Sequence, residues 1–151
     1  NVIADQRQVT ELFALAGGAP LRAKLLAEGE ILQQRAELLE MLQRMSRGEM
    51  TPVQVAEQGL RFGVAEVVHW LSCWCMDLIR LNFNQQPEHI DSPDLLERLR
   101  PLAQQIDLQR LYGYFDKLIE AGRLTRTQVN PQLLLEGVLI GWVRLYAKRR
   151  S

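Results

Sequence analysis

The residues best spaced for chemistry are His69, Cys73 and Asp77. They recur every fourth position in a helical pattern, so they share one face, as the ligands of a metal ion would. A metal site also draws ligands from other segments, and the only other histidine, His89, falls in a polar stretch. The segment around the trio, Val64 to Phe83, is apolar nearly all round. In such a helix cysteine behaves as a small hydrophobe, and one histidine satisfies itself on a carbonyl or on Asp77. Core packing is therefore the plainer reading. The pairs Asp94/Glu97 and Glu37/Glu40 could serve acid–base work, but both lie opposite the apolar stripes of amphipathic helices and read as solvated faces. Trp70 and Trp74, one turn apart, either pack the core or wall a ligand pocket between helices. Arg123, Arg126, Arg144, Lys148, Arg149 and Arg150 either contact phosphate or end a helix in solvent, where cations offset its dipole. No phosphate loop, dinucleotide fingerprint, zinc-protease or nucleophile-elbow motif occurs. The sequence assigns no catalytic residue, no metal site and no cofactor.

The elements that would carry these residues are helices. Asp5 to Ala16 has apolar residues at Val9, Leu12, Phe13 and Ala16, and Gly17-Gly18 with Pro20 stops it. Pro20 opens the next helix, through Leu21, Leu25 and Leu26, which Gly29 breaks or bends. Glu30 to Met45 carries Ile31, Leu38, Leu42 and Met45 on one face. Thr51-Pro52, Ser92-Pro93 and Asn130-Pro131 each spell a cap followed by proline in the first turn, and Asp107 is a cap without the proline. The expected helices are a short one to Gly59, Val64 to Phe83, one after Ser92 with Pro101 starting or kinking a further piece, Leu108 to about Ala121 with Gly122 as its stop, and a last one to about Arg149. No segment sustains a period of two. The expected class is all-α, an antiparallel helical bundle with short loops.

Composition sets the outer limits. With 151 residues, 47% hydrophobic and 24% charged, the chain can bury a core and does not read as disordered. Lys plus Arg and Asp plus Glu are 18 each, so no broad field draws nucleic acid or an anionic membrane. The end from Arg123 is mildly basic, six Lys or Arg against one Glu. Cys73 and Cys75, two apart on a helix, point about 200° away from each other and cannot easily bridge. A reducing cytoplasmic location is expected, without a membrane span: the most apolar stretch, Val67 to Ile79, is shorter than the roughly 20 residues a span needs. The chain starts at Asn1 and enters a helical pattern at once, as a piece of a longer protein would.

The last helix is the most informative. Leu134, Leu135, Val138, Leu139, Trp142, Val143, Leu145 and Tyr146 cover about half its circumference, wider than the roughly 100° one core contact requires. Gly137 and Gly141 lie one turn apart beside this arc, each costing roughly 1 kcal/mol of helix stability against alanine. Close approach of another helix would explain them. Its own domain alone, or its own domain and a partner subunit together, would cover such a helix. The candidate interface is Val138, Trp142, Tyr146, Gly137, Gly141 and Arg144.

Two segments resemble a known family. ALAGGAPLRA, residues 14–23, is similar to the segment that closes the lid of bacterial clamp-loader ATPases, and NPQLLLEGVLIGW, residues 130–142, is similar to the final helix of the delta-prime subunits of DNA polymerase III. The helix order between them is similar too. The resemblance implies residues 1–27 as the tail of the lid and 28–151 as a helical collar domain. Its implied partners are other loader subunits, gamma/tau and delta, with the sliding clamp and primed DNA reached only through the full assembly. It implies no chemistry in this chain, no small-molecule ligand and no membrane. The ATP-binding relatives carry an arginine three residues after the lid glycine; counted from Gly18 that slot holds Leu21, and Arg22 falls one later, turned by about 100°. The departure suits a subunit that does not use ATP. Against the collar stands a second reading, a ligand-binding or interaction domain of a bacterial regulator with the Trp70/Trp74 helix as a pocket wall. An enzyme ranks last.

Overall fold

The structure is a computed structural model that describes residues 19–146. The expected helix Asp5 to Ala16 and the cations Lys148, Arg149 and Arg150 lie outside the described residues. Those described form an all-α bundle with no strand: α1 (Ala19–Ser46), α2 (Pro52–Gly59), α3 (Val64–Phe83), α4 (Leu96–Gln105), α5 (Leu108–Leu124) and α6 (Pro131–Leu145). Short 3-10 turns, Leu60–Phe62 and Pro93–Leu95, precede α3 and α4.

The chain divides into two compact units, residues 1–37 and 38–151. In the first, the described residues are the first part of α1, and none of the side chains described there is buried. Gly29 does not break α1, because a single glycine costs a helix only about 1 kcal/mol. The expected stripe of Glu30 to Met45 is buried from Leu38 onward, while Ile31 is exposed.

In the second unit the core is built on α3. Ten of its residues are buried, among them Trp70, Leu71, Trp74 and Leu78. It packs on α5 and α4, and α6 packs on α2, α5 and α3. A capping box starts α2: Thr51 Oγ1 accepts from the Gln54 amide at 3.2 Å, and Gln54 Oε1 accepts from the Thr51 amide at 3.0 Å. Gly63, at φ 101°, turns the chain by 109° into α3, a conformation that side chains with a Cβ rarely adopt. Asp107 and Asn130 cap α5 and α6 as expected, accepting from the amides of Gln109 and Leu133. Ser92 starts a 3-10 turn and makes no side-chain cap. Pro101 lies inside α4 and Gly122 inside α5, so neither ends a helix. The Asn82 side chain donates to the carbonyls of Ala103 and Ile106, which the end of α4 leaves without helical partners. Arg98 reaches Glu40 at 3.0 Å and Gln43 at 2.6 Å, tying α4 to the buried part of α1. No single described helix is long and apolar enough to cross a membrane.

Candidate functional site

The His69/Cys73/Asp77 face does not converge on a metal. His69 Nε2 lies 3.7 Å from Cys73 Sγ, but Asp77 is fully buried and its oxygens are used elsewhere. Oδ1 accepts from the Asp91 amide at 2.8 Å and from Arg80 Nη1 at 3.0 Å; Oδ2 accepts from the Ser92 amide at 2.9 Å. Burial raises the Asp77 carboxyl above its usual range, against the lowering pull of those two amides and Arg80. Asp91, between Arg80 and His89, ends below the usual range: its partial burial raises it, and its bonds to Arg80 and His89 outweigh that. This cluster pins the 84–92 loop to α3. Among the described residues no group of three or more His, Cys, Asp and Glu side chains is placed to hold a metal ion. Cys73 and Cys75 do not bridge, and burial pushes the Cys75 thiol up to about 12, an inert group whose proton faces the Leu111 carbonyl.

The other chemical candidates also resolve into structure. Glu97 pairs with Arg100, and Glu40 with Arg98, so one member of each carboxylate pair is engaged in an ion pair. Trp70 and Trp74 are core residues, 6% and 0% exposed. A groove of about 550 Å³ does run between α3 and α5, past Val68, His69, Ser72, Ile119, Arg123 and Arg126. Arg123 is paired with Glu120 at its edge.

The last helix has two unlike faces. The half-circle of apolar residues singled out above is the core face: Leu135, Val138, Leu139, Trp142 and Leu145 are buried within the domain. The Trp142 ring lies between Tyr114 and Tyr146, with centroids 6.1 Å and 5.9 Å away. Tyr114 donates its hydroxyl to the Val138 carbonyl at 2.8 Å, and burial raises both tyrosine phenols. Gly141 has an intradomain reason as well. A Cβ there would stand 2.8 Å from the Tyr114 ring, so glycine lets α5 and α6 close on each other.

The opposite face is open. Leu133 is 65% and Ile140 41% exposed, with Gly137 and Arg144 exposed between and beyond them. These four fall within about 60° of the helix circumference. A Cβ on Gly137 would meet nothing within 4 Å, so no contact among the described residues accounts for that glycine. Of the six interface candidates, then, Gly137 and Arg144 sit on the open face, Val138 and Trp142 in the core, and Tyr146 and Gly141 are half-buried between. Leu133 and Ile140, exposed on the same face, were not among the candidates; their spacing of seven with Gly137 between them places them there.

Residues 29–144 match the family described as DNA polymerase III, delta subunit, C terminal. The chain belongs to this family. It is 24% identical over 137 residues to the protein named DNA polymerase III subunit delta' of Pseudomonas aeruginosa, covering 89% of this chain and 42% of that one. The chain thus spans less than half the length of the curated relative it matches. No solved structure matches it. The resemblance carried by residues 14–23 and 130–142 pointed to this family.

Proposed function

We propose that the chain is the collar module of a delta-prime-type clamp-loader subunit, which packs against gamma/tau and delta subunits so that the assembly can load the sliding clamp on primed DNA in the bacterial cytoplasm. In this reading residues 1–27 continue a lid and residues 28–151 form the collar. The chain binds and positions; ATP is hydrolysed by other subunits, and clamp and DNA are reached only through the assembly. One observation in the molecule supports it most: the outer face of α6, where Leu133, Gly137 and Ile140 are exposed and, among the described residues, no atom lies within 4 Å of where a Cβ on Gly137 would stand. Small residues on a helix let a partner helix approach closely, and the two apolar side chains flanking them supply burial.

The test is size-exclusion chromatography with light scattering. The chain is mixed with purified gamma/tau and delta subunits of a matched bacterium. A co-eluting complex that forms without added nucleotide is expected, and the double variant Leu133→Asp/Ile140→Asp should lose it while keeping the wild-type melting temperature. Absence of any complex with the wild-type chain contradicts the reading. The α3/α5 groove, lined by His69, Ser72 and Arg126 beside Val68, would then favour the alternative, a ligand-binding or interaction domain of a regulator.

A further inference from the structure

Among the described residues, three acidic ones are buried or half-buried: Asp77, Asp107 and Glu136. Asp77 is bonded by two amides and Arg80, and Asp107 caps α5. Of the three, Glu136 alone has no hydrogen bond or ion pair within the chain. It stands next to Gly137 on α6, three residues from Leu133 and four from Ile140, and so at the rim of the open face. Gln132, one turn before it on the same side, donates to the Val53 carbonyl at 3.4 Å, so this rim is the one towards α2. Val53 is 46% exposed there, and Glu57 is exposed one turn further along α2. α2 and the part of α6 before Arg144 carry only two charged side chains, Glu57 and Glu136, both acidic. The cations nearest in the chain point elsewhere. Arg61 donates to the Gln58 carbonyl at 3.1 Å and lies over the Phe62 ring, and Arg126 lines the α3/α5 groove. Arg144 is eight residues, about 12 Å along the helix, beyond Glu136.

We infer that the loader subunit whose helix covers the Leu133/Gly137/Ile140 face presents a lysine or arginine to Glu136; the inference rests on the collar reading. A helix that comes close at Gly137 also covers the residue beside it. It takes the remaining water from a carboxylate that is already half-buried. Such a group is costly to cover unless an opposite charge meets it. Among the described residues no cation of this chain is paired with Glu136, so the partner supplies one. Its place is fixed as well. Glu136 and Gly137 are adjacent, so the cation lies within about one turn of the point where the partner helix crosses. Glu57 adds negative charge on the α2 side, so a basic edge of the partner helix fits and an acidic edge is repelled. The same two acids repel a phosphate backbone, which selects protein over nucleic acid as the occupant of this face. Leu133 and Ile140 supply contact area, and the ion pair sets direction and register.

Equilibrium binding to the purified gamma/tau and delta subunits of the matched bacterium, measured at roughly 50, 150 and 300 mM NaCl, tests this. Four proteins are compared: wild type, Glu136→Gln, Glu136→Lys and, as a control for net charge, Glu88→Gln in the exposed loop after α3. Glutamine keeps the shape and helix propensity of glutamate, and circular-dichroism melts check each fold. Wild-type affinity should fall as salt rises. Glu136→Gln should bind at least about tenfold more weakly at the lowest salt, with a flatter salt dependence. Glu136→Lys should bind more weakly still, and Glu88→Gln like wild type. A Glu136→Gln variant that binds like wild type at every salt concentration overturns the assignment and leaves the collar reading standing. Tighter binding by Glu136→Lys would mean that the partner's edge is acidic, and an equal loss in Glu88→Gln would reduce the effect to net charge; either overturns it. A wild-type chain that binds neither subunit overturns both.

Discussion

Asp77 shows how a residue that looks chemical becomes structural. Its face and spacing with His69 and Cys73 were legible, but its partners, the amides of Asp91 and Ser92, lie 14 and 15 positions later in a loop that no periodicity describes. Removing a buried, fully bonded carboxylate strands two amides and the Arg80 guanidinium. Asp77→Ala should cost about 3–5 kcal/mol of unfolding free energy in urea titrations. Acid acts on the cluster in two directions. Asp77, raised above 3.8, takes up a proton in the folded state before it does so in the unfolded chain, so stability gains as pH falls from its raised value towards 3.8. Asp91, lowered below 3.8, contributes stability that is complete above that value and is lost as pH falls through its folded pKa. Asp91→Asn should therefore flatten the dependence of the urea midpoint on pH below about 3.8. A wild-type slope retained in the variant would place the acid sensitivity elsewhere.

At the scale of elements, local signals were read well where they were chemical. Three of the four expected caps and the bounds of α2 and α3 follow from Thr51-Pro52, Asp107, Asn130-Pro131 and Gly63. At Gly29 the continuing alternative holds, while Gly122 does not stop its helix and Pro101 lies inside one rather than starting it; among the described residues only Gly48 and Gly63 take the positive φ that demands glycine. The half-circle on α6 was legible as apolar, but a helical wheel cannot say what covers it. Tyr114, on another helix, decides that Gly141 is internal, while the same absence of Cβ at Gly137 faces open space. The two faces should answer differently to truncation. Trp142→Ala is expected to lose about 3–5 kcal/mol in stability, Ile140→Ala under about 0.5, by thermal or urea melts of the chain alone. Equal losses would mean that the outer face is also core.

For the whole molecule, the resemblance of two short segments and the family match agree on where the chain belongs, while the subunit contacts lie beyond any single chain's sequence. Among the described residues, the outer face of α6 joins exposed Leu133 and Ile140 to a glycine, Gly137, that no contact within the domain calls for. The account then turns on whether a neighbouring subunit lies over that face. A photocrosslinking residue at Ile140, with a control at the exposed Phe83, puts this to a direct measurement in the reconstituted loader. The account predicts a crosslink from position 140 to gamma/tau or delta, and a markedly weaker one from position 83. A loader that assembles with position 140 uncrosslinked, while other positions on the chain do crosslink, would contradict it.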